Sequence, residues 1–566
     1  MRYTLGINCS GFHSSACLLG DGRLLSAVCE ERLSRVKRDK AFPHRAISYC
    51  CDAAGITFAQ VSDAFMGWHP RHYLRKSNNM LQEALRARGK LSHVAVNELA
   101  AHGAEDLTDV EHRLRSANSD LCIHFVDHHS AHLAHAFHGS AFPSADFMIL
   151  DGFGEVTTGM CGHADVDRID TLMKYPTPHS MGSFYSAFTD YMGFVPDNDE
   201  WKVMALSALG DPDVYYDRIR PLVRVDGVRF ELDLSFFEHY IYFKDGYYSA
   251  KLVELLGPPL APGVPPAQRE CDIVAAVQRV AEETLFSLLG ALHARTGSDA
   301  LVVGGGFFMN SVLNGRLQAN TPYSRVFIGG SPDDSGISIG SALYGAHNVL
   351  GMAPGGEPMC HNYFGRSYSN GEIRSELERR KIRHTRLDDS PAAGTRLIRE
   401  GKILGWFQGG SEFGQRALGN RSILADPTRA EMKDAVNASV KYRESFRPFA
   451  PAVLAERQQE VLEIPVDETA HFMEKVFPIR PEWQARVPAV THFDGSGRPQ
   501  TVLPETNPRF HALISEFEKQ TGVPLVLNTS FNVNGMPMVE SPGDALDCFF
   551  ACGLDALILG DFLVEK

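Results

Sequence analysis

Three things are scarce in this sequence, and each scarcity removes a class of function. No stretch approaches the ~18 uninterrupted apolar residues that a membrane span needs, so no transmembrane segment is expected. Positive charge is short. Against 69 Asp and Glu stand 55 Lys and Arg, a formal charge of −14 that argues against an extended nucleic-acid-binding face. Paired cysteines are missing as well: the 11 cysteines run from Cys9 to Cys552, are odd in number and form no CxxC pair. Reduced thiols in a cytoplasmic protein are therefore the expectation. The amino terminus also lacks a basic region with a cleavage pattern, so the chain is read as beginning in mature sequence.

What is present reads as a globular chain of more than one domain. Its 566 residues exceed one compact core, while 44% apolar and 22% charged residues are ordinary for a globular protein. Residues Tyr3 to Val28 spell a strand, a Gly/Ser-rich turn, a second strand and the hairpin signal Asp21-Gly22. Further strand-then-glycine units follow at Phe147 to Gly154 (FMILDGFG) and Leu301 to Gly306 (LVVGGG), and three such loops suggest one shared nucleotide cleft. The Gly/Pro-rich stretch LGMAPGGEPMCHN between Val349 and Tyr363 marks a linker, which sets two domains at 1–358 and 359–566. Beyond it, strands at Ile403 to Phe407 and Pro524 to Leu527 alternate with helices such as Ala430 to Val440, so the class is α/β throughout.

The densest chemistry lies in DHHSAHLAHAFH, Asp127 to His138, where Asp127 can cap a helix that begins at the histidines. At ~3.6 residues per turn His128, His132 and His135 share a face, so an i, i+4 pair can point two imidazoles at one ion while His129 points elsewhere. Asp151, ending an apolar strand, and Asp334, in the turn SPDDSG, can add oxygen ligands. Such a set suits Fe(II), Zn or Mn. The zinc-peptidase alternative requires a glutamate after the first histidine, and His129 stands there.

Gly304, Gly305 and Gly306 let a backbone approach a nucleotide closely or merely permit a tight turn; Asn310 then opens a helix whose amides can bind anions. His13, in the first glycine loop, is either a proton acceptor for an attacking hydroxyl or amine or a structural histidine. Between Gln415 and Pro451 the chain carries seven cations. Arg429 and Lys433 read as surface charges beside Glu431 and Asp434. Arg416, Arg421, Lys441, Arg443 and Arg447 sit among Gly, Pro, Phe and Tyr, where half-buried guanidinium groups call for an anion, and Arg498 with the turn Asn528 to Asn532 can complete a phosphate site.

These motifs together resemble the NodU/CmcH carbamoyltransferases over nearly the whole chain. The marks are NCSGFHSSACLL, EERLSRVKRDKAFP, VDHHSAH, LDGFGE, GGGFFMN, DDSG, FGQRALGNRSILADP, KYRESFRPFAP, HFDGSGRPQTV and LNTSFN. The resemblance implies an actin-like ATPase domain followed by a YrdC-like α/β domain. It implies that carbamoyl phosphate and ATP yield carbamoyladenylate in the second domain. The first would then pass the carbamoyl group to a hydroxyl or amine of a small natural product, as in antibiotic biosynthesis. By the same resemblance His128, His132, Asp151 and Asp334 hold iron(II) or another divalent metal, and His13 is the general base. Gly304 to Gly306 and Asn310 would face the nucleotide. Lys441, Arg447 and Arg498 would hold carbamoyl phosphate, with Arg416, Asn528 and Ser530 beside them. Mg2+ accompanying ATP and a homodimer are compatible with this reading. A transfer-RNA threonylcarbamoyl-type modifying enzyme and a non-catalytic nucleotide-binding regulator are the alternatives. The acceptor pocket is sought in the irregular, charged stretch Arg71 to Asn118.

Overall fold

In the computed structural model the described residues are 1–9, 12–69, 114–241, 246–353, 357–441 and 449–566. They form two compact units: Met1–Leu25 with Lys40–Met359, and Ser26–Asp39 with Cys360–Lys566. The second unit thus takes in a short N-terminal segment. Among the described residues no helix is long and apolar enough to cross a membrane.

The first unit contains two five-stranded sheets. Strands β1 (Tyr3–Asn8), β2 (Ser15–Gly20), β3 (Arg23–Cys29), β4 (Val61–Met66) and β5 (Cys122–Phe125) run in the order β3-β2-β1-β4-β5. The Asp21-Gly22 turn joins β2 to β3 with both residues at positive φ, 47° and 78°, as a two-residue hairpin turn of the primed type requires. The second sheet is built from β6 (Ser144–Leu150), β7 (Thr157–Asp165), β8 (Ile169–Pro176), β11 (Ala300–Gly304) and β12 (Arg325–Ile328), in the order β12-β11-β6-β7-β8; β9 (Val223–Asp226) and β10 (Arg229–Leu232) form a separate hairpin.

The two sheets repeat one topology. In each, the first strand pairs antiparallel with the second on one side, and on its other side parallel with the fourth, which carries a parallel fifth. Between the sheets lie two packed helices, His128–Ser140 and Ile337–Tyr344. A Cβ at Gly6 of β1 would stand 1.8 Å from the Ser338 carbonyl, and one at Gly340 would stand 1.9 Å from that of Ala131. The missing side chains therefore let the helices seat on the first sheet and on each other. The histidine helix reaches the second sheet through Leu133, Ala136 and Phe137, packed with Phe147, Ile149 and Val302.

The second unit is a mixed eight-stranded sheet. Its strands are β13 (Thr385–Arg386), β14 (Leu404–Phe407), β15 (Arg421–Ala425), β16 (Ala450–Leu454), β19 (Gln500–Val502), β20 (Leu525–Ser530), β21 (Ala556–Leu559) and β22 (Phe562–Glu565); β17 (Phe477–Pro478) pairs with β18 (Ser496–Gly497) apart from it. The order is β13-β22-β21-β14-β15-β20-β16-β19, with β14/β21 and β16/β19 parallel. One core unites Trp406, Phe510, Leu513 and Leu527. The helix expected at Ala430 to Val440 is shorter: Met432–Val436 is α-helical and Asn437–Lys441 forms a wider turn.

Candidate metal centre and anion site

The histidine helix begins at His128, but Asp127 does not cap it with its side chain. Glu155, at the end of LDGFGE, does the work instead: its carboxylate accepts the His128 N–H at 3.0 and 3.3 Å and the His69 N–H at 2.7 Å. A carboxylate at this end also answers the positive pole of the helix. Sequence reading missed Glu155, since nothing in its spacing separates a cap from an ordinary turn residue.

One turn apart, His128 and His132 direct their Nε2 atoms to the same place, 3.2 Å from each other. Asp151 Oδ2 lies 3.2 Å from the first and 2.9 Å from the second. Asp334 Oδ1 lies 3.4 and 3.5 Å from the same two atoms. All four residues are buried, and their donor atoms fall within 4.8 Å of one another. Atoms bound to one ion at about 2.0–2.2 Å stand roughly 3.0–3.5 Å apart, so the spacing fits a first-row divalent ion with two nitrogen and two oxygen ligands.

Charge leads to the same conclusion. Burial alone would depress His128 and His132; Asp334 and Asp151 outweigh it and raise both, His128 well above its usual range. Burial would likewise raise the two carboxyls, and the imidazoles outweigh it and lower both. Two buried carboxylates are thus held ionised and need two positive charges, which a divalent cation supplies without protonating either imidazole.

The remaining histidines sort as the helix dictates. His129 turns away, bonds Thr157 Oγ1 at 2.8 Å through Nδ1, and is kept neutral by burial and by His128. Although on the same face, His135 stays outside the cluster, enclosed against Gly329 and Gly336; burial drops it to about 4.

The glycine loop proves to be part of this centre. Gly306 N–H and Gly152 N–H donate to Asp151 Oδ1 at 3.2 and 2.8 Å, which leaves Oδ2 aimed at the histidines. Gly305, at φ 95°, lies so close to β6 that a Cβ would meet the Leu150 carbonyl at 2.1 Å, and Gly304 faces the His132 backbone. Asn310 caps the helix Ser311–Asn320 and exchanges hydrogen bonds with Gln278, so its side chain is committed. His13 is half-buried; the Asn8 amide donates to the carbonyls of both His13 and Asp334, at 2.6 and 2.7 Å, and so ties the first glycine loop to the centre.

In the second unit the structure brings part of the basic set together. Buried Lys441 points its ammonium at Ser530 Oγ (3.1 Å), Asn532 Oδ1 and Asn532 O (both 2.9 Å) and the Ser530 carbonyl. On the same face of β20, Asn528 donates to Gln500 and to the carbonyl of Ala417, next to half-buried Arg416. Arg498, also half-buried, precedes Gln500 by two residues. Arg443 and Arg447 lie outside the described residues, as does most of Arg71 to Asn118.

Arg421 overturns one expectation. Its guanidinium is fully enclosed, stacks 3.7 Å from the Phe407 ring and donates to the carbonyls of Gln408, Gly409, Glu540 and Arg366. Backbone oxygens satisfy it where an anion was expected. Arg429 pairs with Asp426, as a surface charge should.

The family model Carbamoyltransferase N-terminus matches residues 3–343, and Carbamoyltransferase C-terminus matches 395–566. The chain belongs to the carbamoyltransferase family. This carbamoyltransferase is 34% identical to nodulation protein NolNO of Sinorhizobium fredii over 98% of its own length and 78% of the relative's. It is 33% identical to an uncharacterized protein of Synechocystis over 100% of its length and 97% of the relative's. Among solved structures, full-length HypF in a phosphate- and nucleotide-bound form resembles 62% of the chain and 56% of its own, at 15% identity and a TM-score of 0.31.

Proposed function

We propose that the protein is an ATP-dependent carbamoyltransferase in which the second unit makes carbamoyladenylate and the first unit spends it on a small acceptor. Carbamoyl phosphate first loses phosphate to water; the carbamate attacks the α-phosphorus of ATP, giving carbamoyladenylate and pyrophosphate. An acceptor hydroxyl or amine then attacks the carbamoyl carbon and AMP departs. The observation that carries this reading is the segregation of opposite charge demands: two ionised carboxylates with two imidazoles in one unit, and a buried lysine with amide and hydroxyl partners in the other.

Within the first unit, His128, His132, Asp151 and Asp334 would hold the divalent ion, iron(II) on family grounds. The ion would stabilise negative charge on phosphate oxygens. Gly306 and Gly152 fix Asp151 for that task, His13 takes the acceptor's proton, and the loop Gly304 to Gly306 with the start of the helix at Asn310 borders the nucleotide. The duplicated sheet topology supports an actin-like ATPase architecture for this unit. In the second unit, read as YrdC-like, Lys441, Arg416, Arg447 and Arg498 offer charge to carbamoyl phosphate, and Asn528 and Ser530 offer neutral partners. A small-molecule acceptor is preferred to transfer RNA because the net charge is −14.

The test is to incubate purified protein with iron(II), carbamoyl phosphate, MgATP and a panel of hydroxylated and aminated natural products. The expected result is one AMP, one pyrophosphate and one phosphate for each carbamoylated acceptor. Acceptor modification with no pyrophosphate would refute the adenylate route, and absence of both across the panel would refute the proposal.

A further inference from the structure

The segment Ser26–Asp39 belongs to the second unit and carries a buried guanidinium whose donors are only partly met among the described residues. Arg32 is 3% exposed. Its Nη2 donates to the carbonyl of Gly414, 382 residues away in sequence, while Nε and Nη1 are buried and meet no hydrogen-bond acceptor among the described residues.

Two other arginines of the second unit show how unusual this is. Arg421 is as deeply enclosed, yet its nitrogens are taken up by carbonyl oxygens. Arg35, one turn after Arg32, donates to the carbonyls of Met538, Pro537 and Arg32 and faces Asp544 at 3.6 Å. A buried cation with unmet donors is costly to the fold on its own, so a partner must enter.

Arg32's surroundings say what kind. The Gly414 it touches is followed directly by Gln415 and Arg416. Arg35 anchors the same short helix, Glu30–Ser34, to the turn that descends from Ser530 and Asn532, the partners of Lys441. The unmet Nε–H and Nη1 groups point to different sides of the guanidinium, so the entering partner must be an anion that offers several oxygens, as a phosphoryl group does.

We infer that Arg32 binds a phosphoryl group of an activation substrate, entering the second unit from the N-terminal sequence to do so. This rests on the activation site proposed above, whose two substrates, carbamoyl phosphate and ATP, both present that group. Arg32 is accordingly a substrate-binding residue placed at the cost of an unpaired charge in the empty protein.

That cost supplies a test with opposite signs. Urea unfolding of the full-length wild type, Arg32→Met and Arg32→Lys is followed at 25 °C without ligand and with carbamoyl phosphate, ATP or inorganic phosphate in separate arms. Without ligand, Arg32→Met should unfold at the same or higher urea than wild type, because an unpaired charge has been removed. The ligand that Arg32 holds should raise the wild-type midpoint and leave that of Arg32→Met unmoved, with a partial rise for Arg32→Lys. Steady-state kinetics should then show KM for that same substrate raised about ten- to a hundredfold, with KM for the other unchanged. A response confined to carbamoyl phosphate or to ATP names the source.

A drop in the ligand-free midpoint with intact ligand responses would make Arg32 structural and overturn the inference. A wild type that responds to inorganic phosphate through Arg32, but not to either substrate, would keep the anion site and refute the activation reading. No response of the wild type to any of the three would refute both.

Discussion

The two candidate sites solve opposite electrostatic problems, and the contrast explains their residue types. At the histidine helix, Asp151 and Asp334 bring negative charge into a buried space, and every candidate ligand sits on or beside a regular element: two on one helix, one at the end of β6, one in the turn before Ile337–Tyr344. In the second unit the buried charge is positive, and its fixed partners are hydroxyl, amide and carbonyl oxygens. On the proposed function a cation would complete the first and an anion the second.

The largest expected effects break one site while sparing the other. Replacing Lys441 by Met should lower carbamoyl-phosphate-dependent pyrophosphate release about a hundred- to a thousandfold, the scale for losing one preorganised charge partner, while the purified protein keeps its bound metal. Metal analysis alongside a pyrophosphate assay checks both halves. His132→Ala should do the reverse at the other site: bound metal is lost and acceptor carbamoylation falls by about a hundredfold or more.

A smaller effect is expected one step removed from the ligands. Glu155→Gln keeps an oxygen at the helix start but removes its charge. It should cost roughly 1 kcal/mol of stability and weaken metal binding about tenfold, read by thermal unfolding and by competition with a chelator. A further effect lies at neither site and bears on stability alone. Burial, then Asp197, pushes Glu200 from 4.5 up to about 7. Its unfolded-state carboxyl loses a proton first as pH rises, so the group's contribution is intact below about pH 4.5 and is lost as pH climbs toward about 7. Glu200→Gln should flatten that decline by at most about 3 kcal/mol in urea titrations at pH 5 and pH 8. A change in its metal content would show that the two effects are not separate.

The sites differ also in how far the sequence discloses them. Helical spacing alone joins His128 to His132, and the ends of an apolar strand and a tight turn nominate Asp151 and Asp334, because each signal is local. The same periodicity leaves His135 undecided, since only tertiary packing against Gly329 and Gly336 removes it from the cluster. In the second unit composition points to the basic run but cannot say which cations are satisfied by backbone. Arg421 looks like an anion binder and is held by carbonyls. Arg32 looks like part of the first domain and contacts Gly414. Both depend on contacts far apart along the chain, which no spacing rule reaches. Repetition of the sheet topology is equally silent, because the two halves share strand order and not residues.

Division of labour between the units is the central claim, and Asp334→Ala tests it most directly. In one reaction mixture containing carbamoyl phosphate, ATP and an acceptor, pyrophosphate and carbamoylated acceptor are quantified together. The account predicts that this variant still releases a stoichiometric burst of pyrophosphate at near wild-type rate while carbamoylated acceptor disappears. Loss of the pyrophosphate burst together with the product, in a variant that remains folded, would contradict it.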